Sequence, residues 1–244
     1  MRQRAFQFRT WGGARARAGR KPKGARPGVS HLRRPAHCRH HPLHVTLRVR
    51  QGLSALREHE VFPEVRGALV AGRERFGFRL IHFSVQRDHL HLLAEAADRR
   101  ALSRGVQGLA IRLARAINRR LQRHGKVFTD RYHARALKTP RAARWALRYV
   151  LLNVRKHERH AVPFGFVDPC SSAAWFDGFA RPLELVFGAR ECRAAFRAQH
   201  ALDSPVVVAR TWLLTVGQYR AAPFDVDDVP SAAQKRSKET AAPR

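Results

Sequence analysis

Residues 78–95, FRLIHFSVQRDHLHLLAE, decide the fold. Phe78 to Gln86 is dense in β-branched and aromatic residues and reads as a strand with Ile81, Phe83 and Val85 on one face. Arg87-Asp88 is a tight connection, and His89 to Glu95 is the next strand. Successive side chains on a strand point to opposite faces, so Leu90 and Leu92 enter a core while His89 and His91 share the other, uncovered face. Their bases then lie roughly 7 Å apart, near enough for both imidazoles to meet one metal ion that keeps open positions for phosphate oxygen. The plainer alternative is two packed or surface histidines in a chain that has 14.

Upstream, His44 to Arg50 alternates as a half-buried strand does, and Val61, Val65, Leu69, Val70 and Phe76 set a helix over 61–76 that Gly77 stops. Downstream, Leu102, Val106, Leu109, Leu113, Ile117 and Leu121 recur every three or four residues with arginines between them, a long amphipathic helix that Gly125 ends. Val127 to Leu137 is a short extended segment. Thr139-Pro140 is an N-cap and first-turn pair, so a last helix runs from about Arg141 to His157. Strand, helix, strand, strand, helix, strand, helix is the order of an α+β, ferredoxin-like split βαβ fold, an antiparallel sheet with helices on one face. The division is a disordered basic arm over 1–42, a folded domain carrying the candidate chemistry over 43–160, a carboxy-terminal extension of illegible role over 161–220, and a disordered tail over 221–244.

Lys and Arg total 48 against 18 Asp and Glu, a formal charge of +30 in 244 residues. Such an excess points to a polyanion, and no run approaches the roughly 18 to 20 apolar residues of a spanning helix, so nucleic acid is favoured over membrane. Three scattered cysteines suggest neither a disulfide framework nor a Cys-x-x-Cys metal site, consistent with a reducing cytoplasm and a place on the nucleoid. In the arm, Arg20, Lys21 and Lys23 read either as an AT-hook-like minor-groove peptide or as a solvated charge run that binds phosphates. Arg112, Arg115, Arg119 and Arg123 on the long helix are further candidate backbone clamps. His37, His40, His41 and His44 beside Cys38 fit no closed zinc pattern.

On the last helix, counting 100° per residue groups Ala143, Leu147, Val150, Leu151 and Val154 toward a core. Tyr149, Asn153 and Lys156 fall together on the other side, with Trp145 nearby. A phenol nucleophile, a neutral amide oxygen for a metal and an ammonium that favours phenolate are a usable set; a surface tyrosine among polar neighbours is the alternative. Tyr132 is a reserve nucleophile whose strand-like, aromatic setting suits packing better.

Taken together, Arg87-Asp88-His89-Leu90-His91-Leu92-Leu93, Val127 to His133 and Tyr149-Val150-Leu151-Leu152-Asn153 resemble the single-tyrosine HUH transposases, in particular the REP-associated tyrosine transposases (RAYT proteins). The resemblance spans about His44 to His157. It implies that His89 and His91 hold a divalent ion, Mg2+ or Mn2+, that Asn153 completes that site, and that Tyr149 attacks single-stranded hairpin DNA to leave a 5′-phosphotyrosine. Such proteins occur as monomers and homodimers. Relatives commonly follow the Asn with Pro, whereas Val154 here continues the helix. A non-catalytic DNA- or RNA-binding protein on the same fold, including a ribosome-associated one, would explain the charge equally well.

Overall fold

The computed structural model describes residues 37–53, 56–157, 162–181 and 204–230. Its framework is β1 (Leu43–Arg48), α1 (Phe62–Gly72), β2 (Glu74–Arg75), β3 (Phe78–Val85), β4 (His89–Ala96), α2 (Arg99–Arg120), β5 (His133–Ala136), α3 (Pro140–Leu151) and α4 (Asn153–His157). The strands form one sheet in the order β2-β3-β4-β1-β5. Every pairing is antiparallel, with Thr46 opposite His91 and also opposite His133.

The α+β antiparallel reading stands, but the helices do not share one face. Leu43, Val45 and Leu47 of β1 with Leu90, Leu92 and Ala94 of β4 pack on Leu69 of α1 and Leu109, Leu113 and Ile117 of α2. A second core gathers Ala143, Leu147 and Val150 of α3 with Leu93 and Ile81 on the opposite side of the sheet. The face of His89 and His91, expected to be uncovered, is therefore crossed by α3. Ile81 joins it because a bulge between Leu80 and His82 sets Phe83 and Val85 with Phe78 and Leu80 instead.

Other local departures have physical causes. The helix expected over 61–76 ends at Gly72, because Glu74 and Arg75 pair with Arg79 and Phe78 in a hairpin. Phe76 (φ 54°) and Gly77 (φ 77°) are its two turn residues, both in the left-handed region that such a tight hairpin turn demands. α2 stops at Arg120, short of Gly125, where Gln122 at φ 47° takes the left-handed position and Arg123 N donates to Asn118 O. Thr139 caps α3 as read, Oγ1 accepting from Ala142 N at 3.1 Å. The helix then breaks at Leu152 (φ −107°, ψ 20°), so Val154 belongs to a new turn and does not continue α3.

The extension completes the second core. Phe176 and Phe224 stack with ring centres 5.6 Å apart, and Leu213, Leu214 and Val226 are buried beside them. Residues 221–230, expected in a disordered tail, thus lie packed, and Arg155 of α4 binds Val226 O and Asp227. Likewise His37 and Pro42, expected in the arm, bond Ala96 O and Leu137 N. The extension also covers the edge of β3: Val85 N donates to Cys170 O, Ser172 N to Phe83 O and Val207 N to Leu80 O. Closing an open edge removes a template for pairing with another chain.

Candidate active site

Strand parity assembles the site. On β4, His89 and His91 stand on the α3 side; on β1, His44, Thr46 and Arg48 do; on β5, His133 and Arg135 do, by register with Thr46 and His44. α3 lays Trp145 and Tyr149 over this row. The Tyr149 ring lies 5.1 Å from that of His91 and 5.7 Å from that of His44, both edge-on, and Trp145 stacks on Tyr149 at 5.1 Å with 15° between planes.

His91 is the hub. Its Nδ1 is 3.1 Å from His44 Nε2 and 3.3 Å from Thr46 Oγ1, and its Nε2 is 3.1 Å from His89 Nε2. His89 Nδ1 donates to Asp88 Oδ1 at 2.6 Å. Burial alone would raise the Asp88 carboxyl, but the hydrogen bond and charge of His89, with Arg48, outweigh it and hold its pKa below the usual value. Burial, reinforced by His133 and Arg135, pushes His44 down to about 4, so it is neutral near pH 7 and can accept from His91 Nδ1–H.

The bond to Asp88 puts the His89 proton on Nδ1, while the His91 proton sits either on Nδ1, toward His44 and Thr46, or on Nε2, toward His89. With N–H on Nδ1 of both His89 and His91, their Nε2 atoms carry lone pairs that face each other. Two lone pairs at this distance repel unless a proton or cation stands between them. Two nitrogen ligands each about 2 Å from one ion and at roughly right angles would also be about 3 Å apart. The carboxylate behind His89 is the usual orienting partner of a metal-binding imidazole. Asn153 is fully buried; its Nδ2 donates to Tyr149 O at 3.3 Å, replacing the backbone donor lost where the helix breaks. Its Oδ1 has no hydrogen-bond partner among the described residues. Imidazole nitrogens and a neutral amide oxygen are donor types that a divalent ion accepts. Among the described residues no group of three His, Cys, Asp or Glu is placed to hold a metal ion.

Lys156, one turn into α4, brings Nζ to 3.4 Å from Tyr149 Oη and 4.8 Å from the ring centre. The sequence-derived His89, His91, Tyr149 and Lys156 are thus neighbours. Tyr132 is buried in the other core and packs. α2 also lies on that far side: Arg119 pairs with Glu64, Arg123 with Asn118, Arg112 with Gly108 O, and Arg115 is exposed. These arginines therefore do not flank Tyr149. Exposed cations on its own face include Arg48 and Arg135, which the alternation of β1 and β5 could have revealed. Arg20, Lys21 and Lys23 lie outside the described residues. No helix among the described residues is long and apolar enough to cross a membrane.

Residues 38–153 match the model of a family described as IS200-like transposases. No curated protein matches. Among solved structures, a REP-associated tyrosine transposase bound to a REP hairpin is similar at 16% identity over 53% of this chain and 74% of its own, with a TM-score of 0.44. A putative transposase from Deinococcus radiodurans R1 is similar at 18% identity over 40% and 78%, with a TM-score of 0.35.

Proposed function

We propose, from the match of residues 38–153 to the model of the IS200-like transposase family, that this protein cuts and rejoins single-stranded DNA, hairpin-bearing by the resemblance its sequence motifs carry, through Tyr149. The observation that carries the reading is the phenol of Tyr149 packed between the His91 ring and the Lys156 ammonium.

Tyr149 Oη attacks a backbone phosphorus in line, forming the tyrosyl–phosphate bond as the bond from phosphorus to the 3′-oxygen breaks. The phenol proton passes to solvent, and the departing 3′-oxygen takes one up. Lys156 Nζ, 3.4 Å from Tyr149 Oη, sets a positive charge beside the attacking oxygen and the incoming phosphate. Trp145 stacked on Tyr149 limits the ring's freedom, which holds the oxygen on its line of approach. His89, His91 and Asn153 would hold Mg2+ or Mn2+, whose chemistry is to polarise the phosphate. Arg48 and Arg135 are placed to draw the backbone across the face. Because the 5′-phosphotyrosine keeps a phosphodiester linkage, an incoming 3′-hydroxyl reverses the step without ATP.

The test is a covalent protein–DNA adduct on end-labelled hairpin oligonucleotides with unpaired flanks, with Mg2+ or Mn2+ and with chelator. An adduct that needs the ion and vanishes in Tyr149→Phe supports the reading. Tight binding with no adduct on any substrate overturns it in favour of a nucleic-acid-binding module.

A further inference from the structure

At the opposite edge of the sheet, the turn Phe76–Gly77 and the short helix Trp212–Thr215 border a cleft of about 670 Å³. By strand spacing and rise its Phe76 wall lies roughly 20 Å from His91 and its Glu95 wall roughly 14 Å, too far to be part of the Tyr149 site. Its wall includes Arg39, Arg75 and Arg210, and its two aromatic residues are unusually open, Phe76 at 60% and Trp212 at 47% exposure. Each ring already carries a guanidinium on it: Arg104 lies 4.8 Å from the centre of Phe76, and Arg220 lies 5.1 Å from that of Trp212.

The carboxylates in the cleft are engaged. Glu74 pairs with Arg79 at 3.0 Å and with Arg210 at 3.7 Å. Glu95 is buried and accepts from Arg210 N, Thr211 N and Thr211 Oγ1. The balance of charge presented outward is positive.

Phe76 is the telling residue. A turn with both central residues at positive φ favours Asn-Gly or Gly-Gly, and a bulky side chain there is strained. Holding a phenyl ring outward at such a position gains nothing for the core. Strain of this kind collects at binding sites. The opposite ring is also seated with care: a Cβ at Gly217 would fall 2.8 Å from Trp212 Cζ3, so only glycine lets the indole lie this close to the backbone.

We propose that this cleft binds unpaired single-stranded DNA, with Phe76 and Trp212 stacking on bases and Arg39, Arg75 and Arg210 holding phosphates. The inference rests on the reading of the protein as one that acts on DNA, and it adds a second, non-catalytic contact. Stacking on exposed rings selects unpaired bases, because paired bases in a duplex are already stacked on each other.

The test is fluorescence anisotropy with full-length protein and two labelled DNAs, a blunt hairpin and the same hairpin with an unpaired flank. The expected result is that Phe76→Asn and Trp212→Leu each weaken binding of the flanked hairpin by about tenfold, leave the blunt hairpin unchanged, and still form the Tyr149 adduct at saturating DNA. Asn suits the left-handed backbone, so Phe76→Asn keeps or raises the melting midpoint, which separates lost binding from lost folding. Equal affinity of variants and wild type for the flanked hairpin overturns the proposal. So does equal weakening on the blunt hairpin, or a preference of the cleft for RNA of the same sequence. Absence of the adduct in wild type would instead overturn the catalytic reading, while the flank-dependent affinity is measured independently of it.

Discussion

Lys156 Nζ lies 3.4 Å from Tyr149 Oη although the helix breaks between them at Leu152. The break re-aims α4, and the ammonium meets both the phenol oxygen and the ring. Lys156→Ala is expected to lower the rate of adduct formation roughly 10²-fold, the scale of losing a group that assists a proton-coupled step. DNA affinity changes little, since one partly buried cation among 48 basic residues is lost. Single-turnover adduct kinetics alongside equilibrium binding check this, and an affinity loss that matches the rate loss would make Lys156 a phosphate contact instead.

Asp88 fixes the Nδ1 proton of His89 at 2.6 Å. Asp88→Asn removes that charge and replaces the carboxylate with a weaker amide acceptor behind the ring. Metal affinity should fall about 10- to 100-fold, measured by titration calorimetry with Mn2+ in the absence of DNA. Unchanged affinity would mean that His89 does not ligate through Nε2.

His82 is buried against Ser172 Oγ at 3.1 Å, and burial, opposed only by Asp177, holds its pKa down to about 4. Between the unfolded value of 6.5 and about 4, the unfolded chain takes up a proton that the folded chain refuses. Stability is therefore full above pH 6.5 and falls as pH drops through this window, by about 3 kcal/mol for this one group. Urea midpoints at pH 7.5 and 4.5 should show a smaller fall in His82→Gln than in wild type; equal falls would show that His82 is not the group responsible.

The extension is clamped to the core by Arg57, which binds both oxygens of Asp168 at 2.8 and 2.9 Å, with the Asp168 side chain only 1% exposed. Removing one member of such a pair strands the other. Asp168→Ala should cost about 3 kcal/mol, and it should also loosen residues 170–172 from the edge of β3. Equilibrium denaturation gives the first effect and amide exchange at Val85 and Ser172 the second. Unaltered exchange at both amides would contradict the clamp.

Where α2 crosses β3, a Cβ at Gly105 would fall 2.2 Å from Phe78 Cβ. Gly105→Ala must push helix and strand apart, and a loss of about 3 kcal/mol in denaturant unfolding is expected, the upper end for overpacking. A neutral or stabilising effect would refute so close a crossing.

The elements legible from the chain were those with strong period and clear caps. Alternation placed β1, β3 and β4, heptad-like spacing placed α2, and Thr139-Pro140 placed the start of α3. That His89 and His91 share a face followed from the strand period, whereas Lys156 meets Tyr149 across a helix break that the period did not foretell. What escaped notice was non-local or broke a period. The bulge at Ile81 reverses parity within one strand, and the hairpin turn at Phe76 lacks the Asn that would have announced it. The side of the sheet that α3 covers depends on the path of its connection, which no periodicity encodes. For the same reason His44 and Thr46 could not be recognised as partners of His91, since they meet it only through β1–β4 pairing. The extension escaped because its anchors, Asp168, Glu95 and Arg155, are charged residues whose burial depends on partners far along the chain.

The bond between Thr46 and His91 crosses from one strand to its antiparallel neighbour, so it exists in only one alignment of the two. Adding or deleting a single residue within either strand would turn that strand's share of the row, His44 and Thr46 on β1 or His89 and His91 on β4, to the other side of the sheet. Point substitutions here can grade activity, but length changes in β1 or β4 cannot. Tolerated indels should be confined to the connections.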